Sequence, residues 1–204
     1  MNPVPGTQGY GEAIGSFVDT SLGLDFHEVC KNFVEFLPSV PARILDAGAG
    51  AGQNAAALAD LGHTVVAVEP MQAFLAAARA NYPQQRITWI RDSLPSLECL
   101  GPETSRFDFI LVDAVWHHLD EIERLCALRR FAELLRAGAR CALSLRNGPA
   151  GIGTRVFPTD AEQTVRQAAR FGMDCVMRIE NMPSILPNKE DVTWARIVLQ
   201  KRRG

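Results

Sequence analysis

Residues 44–52 read Ile-Leu-Asp-Ala-Gly-Ala-Gly-Ala-Gly, and this stretch decides the fold. The apolar residues predict a buried strand that ends near Asp46, and the three glycines, Gly48, Gly50 and Gly52, predict a tight turn into a helix. Glycine lets a ligand lie against bare backbone, and the first turn of a helix presents unpaired N–H groups. The stretch therefore predicts a floor for a small ligand. A strand-to-helix turn that binds nothing is the plainer alternative.

Apolar strands alternate with helical segments along the chain that follows. Nearly continuous apolar strands joined by helices are typical of a parallel sheet covered on both faces. The last two predicted strands have no helix between them, so we expect an antiparallel hairpin at one edge of the sheet. The fold class is therefore α/β, a doubly wound, mostly parallel seven-stranded sheet of Rossmann-like type. The predicted strands are residues 43–47, 63–69, 86–91, 107–113, 140–146, 174–179 and 193–200, and the helices between them are 53–61, 71–82, 120–136 and 159–171.

The length of 204 residues suits one domain, and we assign it to residues 21–204. Residues 1–20 are rich in Gly and Pro, so we expect a flexible segment. With Tyr10 and Phe17 it is either a lid over the binding cleft or an unstructured tail. Asp25 and Glu28 form a capping-box pattern, which predicts a helix over residues 26–37.

Composition excludes several classes of function. The net charge is −2, so no basic surface indicates a nucleic-acid or anionic-membrane partner. The five cysteines are odd in number and widely spaced, which supports neither a disulfide framework nor a zinc site. No apolar run is long enough for a signal core or a membrane span. We expect a cytoplasmic protein.

Acids end three successive predicted strands, at Asp46, Glu69 and Asp92. Ligands of such sheets bind beyond the carboxyl ends of the strands. A carboxylate at Glu69 can accept both hydroxyls of a ribose, and one at Asp92 can accept from an exocyclic adenine amine. The alternatives are a surface acid at Glu69 and an acid that caps loop amides at Asp92. Together the acids favour a nucleoside-containing cofactor.

Three stretches resemble the class I S-adenosylmethionine-dependent methyltransferases, in particular their small-molecule-type members. Residues 44–70 match the glycine motif and the acid of the second strand, residues 91–97 (RDSLPSL) match the segment beside the adenine, and residues 107–120 (FDFILVDAVWHHLD) match the strand and turn that line the active cleft. The resemblance extends from about residue 20 to the end of the chain. It implies methyl transfer from S-adenosylmethionine to a small molecule at O or N, with S-adenosylhomocysteine as the product.

The resemblance also implies roles for single residues. Gly48 and Gly50 would lie under the amino-acid portion of the cofactor, Glu69 would hold the ribose, and Asp92 would bind the adenine amine. Met71 or Leu94 would flank the adenine. The full set of cofactor-binding residues is then Asp46, Gly48, Gly50, Gly52, Glu69, Met71, Asp92, Ser93, Leu94 and Asp113.

Two alternatives to a methyltransferase stay open. Residues 50–55 satisfy the G-x-G-x-x-A pattern of an NAD(P)-binding Rossmann oxidoreductase. Three observations weigh against an oxidoreductase. The dinucleotide-binding pattern needs no acid before its glycines, where this chain has Asp46, and the chain lacks room for a separate catalytic domain. Neither Tyr10 nor Tyr82 begins the Tyr-x-x-x-Lys pair that short single-domain reductases carry. A non-catalytic protein that binds the cofactor would carry the same glycines and acids.

The other side of the cleft is predicted from residues after the fourth and fifth strands. Methyl transfer needs mainly alignment and exclusion of water, and a base only if the acceptor arrives protonated. Because Arg146 stands where catechol-type relatives carry a metal-binding acid, we expect no metal. Arg146 then is a carboxylate clamp or a cover for the sheet edge. The candidate catalytic residues are Asp113, His117 and His118, and the candidate substrate residues are Trp116, Arg146 and Asn147.

Overall fold

The computed structural model describes residues 4–83, 86–101 and 106–203. Within this part of the chain, seven strands form one sheet in the order β3-β2-β1-β4-β5-β7-β6. Strands β1 to β5 run parallel, and β7 pairs antiparallel with β5 on one side and β6 on the other. The predicted α/β fold is confirmed. The strands are β1 (Arg43–Ala47), β2 (Thr64–Val68), β3 (Ile87–Ile90), β4 (Phe107–Val112), β5 (Leu135–Asn147), β6 (Met173–Pro183) and β7 (Thr193–Lys201).

Helices cover both faces of the sheet, and short 3-10 turns precede some of them. Strand order reverses between β1 and β4, so the cleft above the carboxyl ends of these strands is the expected ligand site. The helices are α1 (Ile14–Leu22), α2 (Phe26–Val29), α3 (Gln53–Asp60), α4 (Gln72–Asn81), α5 (Glu121–Leu134) and α6 (Ala161–Ala169), and the 3-10 turns are Pro5–Thr7, Tyr10–Glu12, Val34–Phe36 and Trp116–His118.

The single helix predicted over residues 26–37 is wrong. The carboxylate of Asp25 does cap α2 by accepting from the Glu28 N–H at 3.1 Å, but α2 ends after one turn and a 3-10 turn follows later. Cys30 and Phe33 are almost completely buried all the same. Of the residues at helical spacing, Phe26 and Phe33 are buried, and Val29 and Leu37 are partly buried against the same layer. The apolar spacing thus predicted residues that face the core, although the helix that carries them is broken.

The helix predicted from residue 159 begins later, with Asp160 as its N-cap. In α6, the Asp160 carboxylate accepts from the Gln163 N–H at 2.8 Å. Thr159 stays outside the helix because Asn147 binds its backbone on both sides. The Thr159 N–H donates to the Asn147 Oδ1 at 2.7 Å, and the Asn147 Nδ2 donates to the Thr159 carbonyl oxygen at 2.9 Å.

The core consists of two apolar layers, one on each face of the sheet. Alternate residues of the central strands point to opposite layers, as the two-residue period of a strand requires. In β1, Leu45 belongs to one layer and Ile44 to the other, and both are fully buried. No helix in the described ranges is long and apolar enough to cross a membrane.

Candidate active site

The turn after β1 has three glycines with left-handed φ angles, +85° at Gly48, +53° at Gly50 and +93° at Gly52. A Cβ atom on Gly48 would lie 2.4 Å from Val115, and one on Gly52 would lie 2.6 Å from Trp89. Both contacts are far too short for a side chain. These two positions therefore require glycine for the packing of the turn itself.

Gly50 faces the cleft. A Cβ atom there would meet only the ring of Phe17, at 3.3 Å. Gly50 is partly exposed, and apart from Phe17 and its own chain neighbours no atom of the described chain lies within 4 Å of that Cβ position. The ring of Phe17 therefore occupies the space above Gly50 that a ligand on this backbone would need.

Glu69 follows β2 and fixes the same turn. Its Oε2 accepts from the Gly50 N–H at 3.0 Å, and its Oε1 accepts from the Met71 N–H at 2.8 Å. The side chain is buried, and burial raises the pKa of its carboxyl to about 7, although the two backbone N–H groups oppose this shift. The predicted ribose-binding acid thus lies beside the glycine turn, with one lone pair on each oxygen still free.

Asp46 is the most buried acid of the cleft, with 1% of its surface exposed. Burial raises the pKa of its carboxyl to about 8, and the charges of Asp113 and Glu69 add to this effect. Its Oδ2 has no hydrogen-bond partner in the described structure. The Asp46 carboxyl therefore lies near two other carboxylates, those of Asp113 and Glu69.

The residues predicted to surround the adenine lie on the turn after β3 and at the start of α4. Asp92 is buried, and its two oxygens accept from the Ser93 N–H at 2.8 Å and the Cys99 N–H at 2.7 Å. These are the loop-capping contacts that the sequence left as the alternative. Leu94 belongs to the apolar core, and Met71 is the N-cap residue of α4.

A cavity of about 360 Å³ lies beyond the ends of β4, β5 and β7. Its walls come from several distant parts of the chain: α1, α2, the turn after β4, and the loop between β6 and β7. Asp113, His117, His118 and Arg146 line it, so four of the residues predicted for catalysis or substrate binding meet in one place. The volume suits a small molecule.

Asp113 is held by side chains on three sides. Ser144 Oγ donates to its Oδ1 at 2.6 Å, Asn54 Nδ2 donates to its Oδ2 at 3.3 Å, and an Arg196 guanidinium nitrogen lies 3.5 Å from Oδ1. The same Ser144 Oγ accepts from the Ala114 N–H at 2.6 Å. Asp113 thus organises the turn after β4, and Arg196 balances its charge.

His118 has a defined proton arrangement. Its Nδ1 lies 2.8 Å from the Arg155 carbonyl oxygen, which can only accept, so Nδ1 carries the proton. Its Nε2 then accepts from the Tyr10 hydroxyl at 2.9 Å. Burial lowers the pKa of His118 and raises that of Tyr10 to about 12, so both groups are neutral near pH 7.

His117 is also neutral, since burial, followed by His118 and Arg146, lowers its pKa to about 2. Its Nδ1 is buried without a hydrogen-bond partner in the described structure. Such an imidazole is too weak a base to hold a proton at neutral pH. In this geometry it can still form a hydrogen bond with a ligand in the cavity.

Trp116 and Asn147 do not line the cavity. Trp116 is fully buried in the core, 6.4 Å from the ring of Phe131. Both amide atoms of Asn147 are used by Thr159, as described above. The substrate contacts predicted for these two residues therefore have no support in their positions.

Sequence reasoning missed several residues of the cleft. Arg196 and Trp194 reach it from β7, where the Arg196 guanidinium lies 4.9 Å from the Trp194 ring centre. Phe74 of α4 packs against Phe17, with ring centres 4.7 Å apart. No local pattern marks these residues, because the cleft is assembled from elements far apart in the chain. Tyr10 was singled out only as part of a lid.

Residues 44–138 match the family model described as a methyltransferase domain. This match contains the glycine turn, Glu69, Asp92 and the turn after β4. This part of the chain is therefore similar to a methyltransferase domain, as the resemblance predicted. An uncharacterized methyltransferase of Mycobacterium tuberculosis is 34% identical over 107 residues, which are 52% of this chain and 41% of that protein. The chain thus spans about two fifths of the length of that relative.

Solved methyltransferase structures share the fold. A TehB-like S-adenosylmethionine-dependent methyltransferase from Corynebacterium glutamicum superposes with a TM-score of 0.65 at 19% identity, over 97% of this chain and 99% of that one. The 1,6-didemethyltoxoflavin-N1-methyltransferase of Burkholderia thailandensis, solved with 1,6-didemethyltoxoflavin and S-adenosylhomocysteine, gives 0.64 at 19% identity, over 100% and 93%. At these identities the likeness establishes the architecture.

Proposed function

We propose that this protein is a methyltransferase that binds S-adenosylmethionine over the glycine turn and transfers its methyl group to a small molecule in the cavity beyond β4 and β5. The observation that carries the proposal is the pairing of two sites. A buried acid, Glu69, lies beside the bare backbone of Gly50, and a cavity of about 360 Å³ opens two strands away. The acceptor atom would be oxygen or nitrogen.

The charges of the cleft fit this cofactor. S-adenosylmethionine has one sulfonium and one ammonium group against a single carboxylate, so it is cationic overall. Asp46 and Glu69 are buried acids whose pKa values are raised, and Asp46 Oδ2 has no partner in the described structure. A cationic ligand would favour the ionised form of both acids. When bound, the cofactor supplies an electrophilic methyl group.

The cofactor half of the cleft consists of the glycine turn with Asp46, Glu69, Met71, Asp92, Ser93 and Leu94. Glu69 would accept the ribose hydroxyls through the lone pairs that Gly50 and Met71 leave free. Asp92 would accept from the adenine amine beside the N–H groups it already binds. Met71, Ser93 and Leu94 would flank the purine.

The acceptor half of the cleft consists of Asp113, His117, His118 and Arg146, which line the cavity. These residues would align the acceptor and take up its proton. His118 is the stronger candidate for a base, because the Arg155 carbonyl oxygen holds its Nδ1 proton and its Nε2, which accepts from Tyr10 here, would have a free lone pair once the lid shifts. Asp113 acts as a positioning residue through Ser144 and Arg196. His117, neutral and unpartnered at Nδ1, would donate or accept one hydrogen bond.

The segment of residues 5–22 acts as a lid in this proposal. Tyr10 bridges to His118, Phe17 covers Gly50, and the Gln8 carbonyl oxygen accepts from the Thr154 N–H at 2.9 Å. The lid therefore crosses the cleft from the acceptor half to the glycine turn. Because Phe17 lies where a ligand would touch Gly50, the lid must shift for the cofactor to bind.

The proposal is tested by calorimetric titration followed by isotope transfer. We expect the purified protein to bind S-adenosylmethionine in the micromolar range and to show no heat with NAD(P). With methyl-labelled cofactor and a metabolite extract, label should enter the small-molecule fraction. Binding without transfer into any fraction would favour the non-catalytic alternative, and binding of NAD(P) alone would overturn the proposal.

A further inference from the structure

Arg146 is a half-buried guanidinium in the wall of the acceptor cavity. Its Nη2 donates to the Pro149 carbonyl oxygen at 2.7 Å, and within the described residues no carboxylate oxygen lies within 4.0 Å of its nitrogens. A guanidinium has five N–H donors in a planar fork that matches a carboxylate. Most of these donors are therefore available to a ligand.

The other arginines near the cleft are already paired. Arg196 lies 3.5 Å from Asp113, and Arg155 binds Glu123 at 2.7 Å and Asp120 at 3.2 Å. Arg124 donates to three backbone carbonyl oxygens. Arg146 differs from all three, because it faces the cavity with a charge that the surrounding chain does not neutralise.

Three groups that interact electrostatically with Arg146, namely Tyr10, His117 and His118, are neutral. The Tyr10 hydroxyl donates a hydrogen bond to His118, and His117 is uncharged, so none of these three groups supplies a negative charge. The guanidinium of Arg146 is partly withdrawn from water, and this burial lowers its pKa. A ligand that displaced the remaining water would have to supply the opposite charge.

The rest of the cavity wall is mainly apolar. Val29, Leu24 and Ile185 contribute aliphatic groups, and Met182 and Trp194 contribute a thioether and an indole. Such walls favour a ligand whose body is apolar or aromatic. Arg196, Lys31, Lys189 and Glu28 also line the cavity, but of its two guanidinium groups only that of Arg196 is paired with a carboxylate in the described structure. The unpaired guanidinium of Arg146 indicates one anionic group at a defined end of that body.

We propose that the methyl acceptor is an apolar small molecule with a carboxylate, and that Arg146 binds this carboxylate through its guanidinium fork. The statement that the occupant is the acceptor rests on the proposed function. The carboxylate site itself does not, since it depends only on the cavity and on Arg146.

The cofactor's own carboxylate is a poor alternative partner. Arg146 lies at the carboxyl end of β5, and the glycine turn lies at the end of β1, with β4 between them. Neighbouring strands are about 4.8 Å apart, so about 10 Å separates the two ends. Arg146 is therefore placed nearer to the acceptor cavity, whose wall it helps to form.

The test uses dansylglycine, a fluorescent aromatic carboxylate, and its uncharged match dansylglycinamide. Binding of each is measured from the rise in fluorescence with the wild-type protein, Arg146→Gln and Arg146→Lys. We expect the wild type to bind the acid about tenfold more tightly than the amide, and Arg146→Gln to remove this preference. Arg146→Lys, which keeps the charge but loses the fork, should keep part of it.

Arg166→Gln is the matched control, because Arg166 is an exposed residue of α6 that does not line the cavity. It should bind both probes as the wild type does, and thermal unfolding should show that every variant is folded. Equal binding of acid and amide by the wild type would overturn the proposal. So would an acid preference that survives in Arg146→Gln.

Titration with S-adenosylmethionine separates this inference from the proposed function. We expect Arg146→Gln to bind the cofactor within twofold of the wild type. A large loss of cofactor binding in this variant would assign Arg146 to the cofactor and overturn the inference. If the wild type bound dansylglycine selectively but no S-adenosylmethionine, the proposed function would fail while the carboxylate site stood.

Discussion

The two halves of the cleft hold their acids in different ways. In the cofactor half, Glu69 and Asp92 each accept two backbone N–H groups from the turns that surround them. In the acceptor half, Asp113 is held by the side chains of Ser144, Asn54 and Arg196. Backbone donors are present whatever the sequence, so the first half is fixed by the fold. The second half depends on side chains, so it can differ between proteins that act on different substrates.

The largest effect that tests this comparison is the loss of cofactor binding in Glu69→Ala. The variant removes the expected ribose contacts and also leaves the N–H groups of Gly50 and Met71 without their acceptor. We expect S-adenosylmethionine to bind about a hundredfold more weakly, since hydrogen bonds to charged groups are involved. Calorimetric titration measures this directly. Glu133→Ala, an exposed acid of α5, is the control, and a loss below threefold in Glu69→Ala would contradict the assignment.

Gly52 and Gly50 should differ in how much they contribute to the stability of the fold. Gly52→Ala places a Cβ atom 2.6 Å from Trp89 at a φ of +93°, so we expect the free energy of unfolding to fall by about 2 to 4 kcal/mol. Gly50→Ala meets only Phe17, and its stability should fall by about 1 kcal/mol. Denaturant titration of both variants decides, and equal losses would show that the two glycines have the same role.

Asp46 should make the stability of the ligand-free protein depend on pH. Folding raises its pKa from 3.8 to about 8, so between these values the folded state holds a proton that the unfolded state has lost. Stability from this group is therefore lost as the pH rises from about 4 to 8.

In Asp46→Asn this loss should be absent. The variant should gain about 1 kcal/mol or more over the wild type between pH 5 and pH 8, measured by denaturant titration at both values. The same variant should bind S-adenosylmethionine more weakly, because a negative charge is gone. A pH-independent difference between the two proteins would show that Asp46 is not a buried acid of raised pKa.

The smallest effect is expected at the lid. Tyr10→Phe removes the hydrogen bond to His118 that helps to hold residues 5–22 across the cleft. Since the lid must shift for the cofactor to bind, S-adenosylmethionine should bind about threefold to tenfold more tightly. Tyr82→Phe, at the end of α4 and away from the cleft, is the control. Weaker binding in Tyr10→Phe would show instead that Tyr10 contacts the cofactor.

The cofactor half could be predicted from the sequence because its signals are local. Asp46, the glycines and Glu69 lie within one strand-helix-strand unit, and the turn after β1 brings Glu69 to Gly50. The strands and most helices were predicted to within a few residues, because the spacing of apolar residues indicates which side chains are buried in each element. The same property produced the wrong helix over residues 26–37.

The acceptor half could be predicted only in part. His117, His118 and Asp113 follow β4 directly, and Arg146 lies at the end of β5, so their strand-end positions placed them at the cleft. The partners that define them come from elsewhere: Tyr10 from the amino-terminal segment and Arg196 from β7. The pairing of β7 with β5 joins residues that are far apart in the chain, so no local sequence pattern predicts it.

The most direct test of the central claim is a crystal structure with S-adenosylhomocysteine. We expect the ribose hydroxyls to be bound by the Glu69 carboxylate, the amino-acid portion to lie on Gly50, and the ring of Phe17 to have left its contact with that glycine. A nucleoside bound anywhere else, with Phe17 still packed on Gly50, would contradict the account.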